Sequence, residues 1–193
     1  MDEIRLADHL RAGGAALLPT DTLPALAVQP MAAPLLWQLK ARPADKPLIL
    51  MAADLAQLQT ALALSWTAAW LEQAEASWPG AVTLVLPCQG PIAEALHPGG
   101  TSLGMRVAAC EPLRALLRRT GPLATTSANR SGEPPALNHL EALRQFPGLP
   151  WLDPVPWPSA LGQASAVLAW STRDDHPGCW QVLRQGAVPS PGS

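Results

Sequence analysis

Short apolar runs alternate with stretches of helical periodicity along the whole chain. That alternation restricts it to folds in which a sheet packs against helices. Ala15 to Leu18, Leu23 to Val28, Pro47 to Ala52, Val82 to Leu86, Leu103 to Val107, Leu123 to Thr126, Ala164 to Trp170 and Trp180 to Arg184 read as strands. Pro24 confines the second of them to a sheet edge or a bend. Helices fall between them. Ile4, Leu6, Ala7 and Leu10 share one face, and Gly13-Gly14 ends that helix. Met31 to Lys40 sets Leu35, Leu36 and Leu39 together. Asp54 caps a helix through Leu62, Ser65 one through Ser77, and Asn138 one through Gln145. Glu111-Pro112 opens a helix with the stripe Leu113, Leu116 and Leu117, and Gly121 closes it. A loop with Pro98-Gly99-Gly100 joins two strands, and the proline-rich stretch from Phe146 to Pro158 reads as irregular. The expected fold is α+β (α/β): one domain over residues 1–187 with a mixed sheet, and a frayed tail over 188–193.

Composition narrows the function. A chain of 193 residues with 48% hydrophobic and only 15% charged residues buries a sizeable core and is not disordered. The uncharged run Ala61 to Leu71 is too short for a membrane span, which needs roughly 20 residues. Early charges at Asp2, Glu3, Arg5 and Asp8 argue against a signal peptide, so the expected location is cytoplasmic with no membrane partner. The net charge of −2 disfavours a general nucleic-acid binder, although five arginines from Arg106 to Arg130 face only Glu111. Cys88, Cys110 and Cys179 form no CxxC pair and read as buried or half-buried thiols. No phosphate-loop, dinucleotide, zinc-protease or nucleophile-elbow motif is present, and the four histidines are scattered. His9 reads as solvent-facing or as a cap.

In so weakly charged a chain, polar clusters at strand ends stand out. They are Pro19-Thr20-Asp21-Thr22, then Lys40-x-Arg42 with Asp45-Lys46-Pro47, then Arg106 within a strand, then Thr125-Thr126-Ser127-Ala128-Asn129-x-Ser131-Gly132, and Arg184-Gln185-Gly186. Each alone has an ordinary reading: turn chemistry, a helix-dipole partner for Lys40 and Arg42, a surface ion pair for Arg106. Together they offer cations and hydroxyl or amide donors with few carboxylates, which is the chemistry of an anion site.

Those clusters, with Trp78-Pro79-Gly80-x-x-Thr83 and Leu183-Arg184-x-Gly186, occur in the order of the YrdC-like domain, which the chain resembles from about residue 5 to 186. The resemblance implies a twisted mixed sheet flanked by helices, around a concave, positively charged cavity. It implies a threonylcarbamoyl-AMP synthase, which joins L-threonine, bicarbonate or CO2, and ATP into threonylcarbamoyl-AMP and pyrophosphate. A downstream transferase complex then modifies tRNA, and some members bind double-stranded RNA. Carried over residue by residue, Lys40, Arg42, Ser127 and Asn129 form the catalytic and nucleotide-binding group. Thr83 and Arg184 are further nucleotide contacts, Thr22, Arg106 and Ser165 lie nearest the threonine, and Mg²⁺ comes with ATP rather than in a protein cage.

Three departures are visible. Pro24-Ala25 stands where the family has Tyr-Gly, Ser165-Ala166 replaces a Ser-Thr pair, and Met51 stands where some members have His. Trp78 is the aromatic residue nearest by motif to replace the lost wall. The competing reading is a YrdC-like paralogue that binds nucleotide or double-stranded RNA, with altered specificity or no catalysis. A carbamoyl-transferring domain of a larger protein fits less well. If RNA is held, Arg114, Arg118 and Arg119 are the exposed cations for it.

Overall fold

The computed structural model describes residues 1–41, 43, 46–153, 157, 162–173 and 176–186. Helices are α1 (Glu3–Arg11), α2 (Pro34–Lys40), α3 (Leu55–Leu62), α4 (Ala68–Ser77), α5 (Pro91–Leu96), α6 (Glu111–Thr120) and α7 (His139–Gln145). Strands are β1 (Ala16–Leu18), β2 (Ala25–Val28), β3 (Ile49–Met51), β4 (Val82–Pro87), β5 (Ser102–Arg106), β6 (Leu123–Ser127), β7 (Ala166–Arg173) and β8 (His176–Arg184). They form one sheet in the order β1-β2-β6-β3-β5-β4-β7-β8. It is mixed, as expected: β3–β5 and β4–β7 run parallel, and the other neighbours antiparallel.

Alternation along each strand divides the core between the two faces of the sheet. Leu17, Leu26, Leu50 and Ala124 join the cluster that receives Leu36 and Trp37 of α2 and Leu96 of α5. Their chain neighbours Ala16, Leu18, Ala27, Met51 and Leu123 point the other way, into a second cluster with Leu6 and Leu10 of α1 and Leu113, Leu116 and Leu117 of α6. A third, smaller cluster packs Ala74 of α4 on Val82, Leu84, Ala166 and Leu168. Trp70 of α4 meets Trp170 of β7 edge-on with ring centres 6.2 Å apart, which ties the β7–β8 hairpin to the helical layer.

Several expectations need correction. Thr67, not Ser65, caps α4: its side chain accepts from Trp70 N–H, with Ser65 too far upstream to reach the first turn. The segment between β4 and β5 contains α5, opened by Pro91 in its first turn. Strand β2 lies between β1 and β6 rather than at an edge, because Pro24 precedes its first ladder residue and disturbs no pairing. Trp151, inside the stretch read as irregular, makes a parallel bridge to Leu17. Cys179 is exposed, unlike the buried Cys88 and Cys110. The ring Nε2 of half-buried His9 lies 3.1 Å from the Ala15 carbonyl and closes the turn after α1. The proposed tail 188–193 lies outside the described residues.

Candidate functional site

The face carrying α1 and α6 is covered at Ala27, Met51 and Leu123 but not along its full length. One step along the same face the register brings Ala25 beside Ser127, and Ile49 beside both Thr125 and Gly104. Ala25, Ile49, Thr125 and Ser127 floor a cavity of about 340 Å³. Thr20, Thr22 and Leu23 form one wall, Asn129 and Pro135 another, and Ala164, Ser165 and Arg184 close the far side, with Arg106 rising from the end of β5.

Six of the nine residues expected at the site line this one cavity: Thr22, Arg106, Ser127, Asn129, Ser165 and Arg184. Arg42 lies outside the described residues. Lys40 and Thr83 stand behind the lining. Lys40, buried at the end of α2, points Nζ at Ser127 O (2.6 Å), at Asn129 O and at Asn129 Oδ1 (3.3 Å). Ser131 N–H donates to Lys40 O at 3.0 Å, so the loop after β6 is fastened to α2 twice. Ser127 Oγ donates to Asn129 Oδ1 at 2.6 Å, and Asn129 Nδ2 donates to Arg130 O and Glu133 O. The Ser/Asn loop is thus held by its own side chains and by one ammonium.

Opposite, buried Thr83 Oγ1 lies 2.9 Å from Ser165 Oγ. Arg184 Nε and NH2 donate to Ser165 O at 3.1 and 2.9 Å, which leaves NH1 clear of these contacts. Desolvation lowers the pKa of this guanidinium. Arg106 is not the surface ion pair that its cluster first invites. It is buried: Nε donates to Gly80 O (3.0 Å), NH1 to Thr22 Oγ1 (2.9 Å) and NH2 to Asp21 Oδ1 (2.6 Å). Burial lowers its pKa from the ordinary arginine value, against the raising influence of Asp21.

Sequence reasoning missed Thr20, Thr125 and Thr126 as lining residues, although all three stand in the polar clusters; Thr125 and Ser127 lie two apart on β6. Trp78 is not a wall. Its indole N–H donates to Val82 O at 2.8 Å, and it borders a separate hollow with Leu55, Ala74 and Val107. Ala25 itself lines the cavity, and no aromatic side chain does among the described residues. The arginine-rich surface is largely self-paired: Arg114 and Arg118 with Glu111, Arg119 with Glu3. Among the described residues no cluster of His, Cys, Asp or Glu could hold a metal ion, and no helix is long and apolar enough to cross a membrane.

Known proteins share this architecture and sequence. The threonylcarbamoyl-AMP synthase of Nitrosococcus oceani is 41% identical over 149 residues, covering 74% of this chain and 80% of that protein. The threonylcarbamoyl-AMP synthase of Idiomarina loihiensis is 37% identical over 178 residues, covering 88% and 90%. Among solved structures, P. abyssi Sua5 complexed with L-threonine superposes with a TM-score of 0.83 at 27% identity, over 95% of this chain. This chain spans only 54% of that Sua5 chain. E. coli YciO, with a TM-score of 0.77 at 21% identity over 95% of this chain and 88% of its own, shares the fold. The Sua5, YciO and YrdC family model, described as telomere recombination, matches residues 8–186. With the fold, the cavity and these relatives in agreement, the chain belongs to the Sua5/YciO/YrdC family.

Proposed function

We propose that this protein is a threonylcarbamoyl-AMP synthase, with residues 1–187 as its synthase domain. The observation that carries the reading is the convergence of Arg106, Arg184, Thr22, Ser127, Asn129 and Ser165 on one cavity. The relatives' shared name supplies the reaction. The threonine amine attacks CO2 to form a carbamate; a carbamate oxygen then attacks the α-phosphorus of ATP, and pyrophosphate leaves. Every reactant but CO2 brings negative charge, so fixed cations and donors that offset it accelerate the step.

In this reading Arg184 offers its NH1 edge to the nucleotide while Ser165 holds the rest of the fork. Ser127 and Asn129 present the loop that Lys40 fastens from behind, and Thr83 sets Ser165. Arg42 is assigned to the nucleotide by the resemblance alone. Thr22, Arg106 and Ser165 make the threonine end. The lining has no carboxylate among its described residues, so Mg²⁺ belongs with ATP as part of the substrate. Delivery of the product to a tRNA-modifying transferase, in the cytoplasm, completes the reading. The paired state of Arg114, Arg118 and Arg119 gives no support to a separate RNA surface.

The test is incubation with ATP, L-threonine and bicarbonate, followed by detection of pyrophosphate and threonylcarbamoyl-AMP. Both products should appear together and only when all three substrates are supplied. ATP turnover without the carbamoyl adenylate would refute the assignment.

A further inference from the structure

Asp21 does not line the cavity and was not among the expected site residues, yet its carboxylate sets the geometry of one wall. The Asp21 and Arg106 side chains are only 16% and 5% exposed, and the pair closes at 2.6 Å. A guanidinium has five N–H groups in a rigid fork. One goes to Asp21, one to Thr22 Oγ1 and one to Gly80 O, which fixes the plane of Arg106. The consequence falls on Thr22. Thr20 Oγ1 donates its only hydrogen to Leu23 O at 2.7 Å and accepts Thr22 N–H at 3.0 Å. In the 3.1 Å contact between the two hydroxyls Thr22 must therefore be the donor, while its own oxygen accepts from Arg106.

We propose that Asp21 is a positioning residue: by holding the Arg106 fork it keeps Thr22 Oγ1 an acceptor of Arg106. The single Thr22 hydroxyl hydrogen is then left to swing from Thr20 to a substrate oxygen. The group that this hydrogen recognises is a hydrogen-bond acceptor such as a carboxylate. The inference rests on the synthase reading, in which the threonine carboxylate is the group of matching chemistry.

The test compares calorimetric titrations of L-threonine and of a non-hydrolysable ATP analogue into the unaltered protein, D21N, T22V and the double variant, with circular dichroism to verify folding. D21N should weaken threonine binding about tenfold or more, the scale of one charge-assisted contact, and change nucleotide binding less than about threefold. In the T22V background D21N should add less than about threefold, because the two residues act as one unit. Equal losses for both ligands, undiminished threonine binding, or full additivity of the two substitutions would each overturn the proposal. Should D21N not fold, R106K carries the same expectation, since lysine keeps the charge beside Asp21 but cannot fork. Failure of the unaltered protein to bind threonine would remove the synthase reading itself; normal threonine binding with an unaffected D21N removes only this inference.

Discussion

Replacing Lys40 by methionine tests whether this lysine serves the nucleotide directly or through the loop behind which it is buried. Its ammonium faces three oxygens, Ser127 O, Asn129 O and Asn129 Oδ1, and has three hydrogens to give. Charge-assisted hydrogen bonds contribute about 1.5–3 kcal/mol each, but taking the ammonium out of water costs several kcal/mol, so the net loss should be about 2 kcal/mol. For a chain of this size that lowers Tm by about 4–8 °C. Methionine keeps the length and apolar stem, so loss of packing adds little. Because Ser127 and Asn129 line the cavity, nucleotide affinity should fall together with Tm. Differential scanning fluorimetry beside calorimetric titration of an ATP analogue reads both quantities on one preparation. A K40M variant that keeps the parental Tm but loses the nucleotide would show a direct phosphate contact and refute the clamp.

Further outcomes are expected elsewhere. Thr83→Val removes the hydroxyl that meets Ser165 and should raise KM for the substrates several-fold with Tm nearly unchanged; an unaltered KM would dissociate Thr83 from the site. One thiol, Cys179, should react at once with a chromogenic disulfide in the native protein, and all three only after unfolding, since burial raises the pKa of Cys88 and Cys110. Glu111 has its pKa lowered, first by its hydrogen bond to Arg118. Its contribution is therefore present above the ordinary carboxylate value of 4.5 and is lost as the pH falls from there through the lowered value. Glu111→Gln should flatten that acid limb of the Tm-against-pH curve in low salt, and an identical curve would dismiss the pair. With Pro24 where the family has its aromatic residue, and no aromatic side chain among the described lining residues, turnover should discriminate threonine from serine less sharply than in P24Y/A25G; equal selectivity in both would count against this.

What the sequence made legible was local. Asp54 and Asn138 were readable as caps because each needs only a backbone N–H three residues on: Gln57 N–H at 2.8 Å and Glu141 N–H at 3.0 Å. The stripe on α6 was readable because Leu113, Leu116 and Leu117 repeat at the helical period. Helix α5 escaped because six residues give no period, and only Pro91 marks its start. The polar clusters pointed to one site because strand-end loops at one end of a sheet converge. Whether a member of a cluster touches the cavity or stands behind it depends on packing from distant segments. Lys40 is sealed by a loop almost ninety residues away and Thr83 by Ser165, and no local pattern encodes either. Asp21 stands within the first polar cluster, but its role is set by the Arg106 fork, which arrives from a strand some eighty-five residues on.

The order in which the walls occur along the chain also bears on how the protein is made. Thr20 to Met51 come first and Ser165 and Arg184 last, and β7 must find β4 across some eighty residues before the far wall exists. At about 5–20 residues per second of synthesis, on the order of ten seconds separate emergence of the first wall from emergence of the last. From the emergence of β4 until that of β7, the nascent chain exposes the sheet edge along β4 and the Trp70 ring that later meets Trp170. A chain released early from the ribosome would carry most of its apolar core but no closed cavity, so it would compete for chaperones without competing for ATP or threonine.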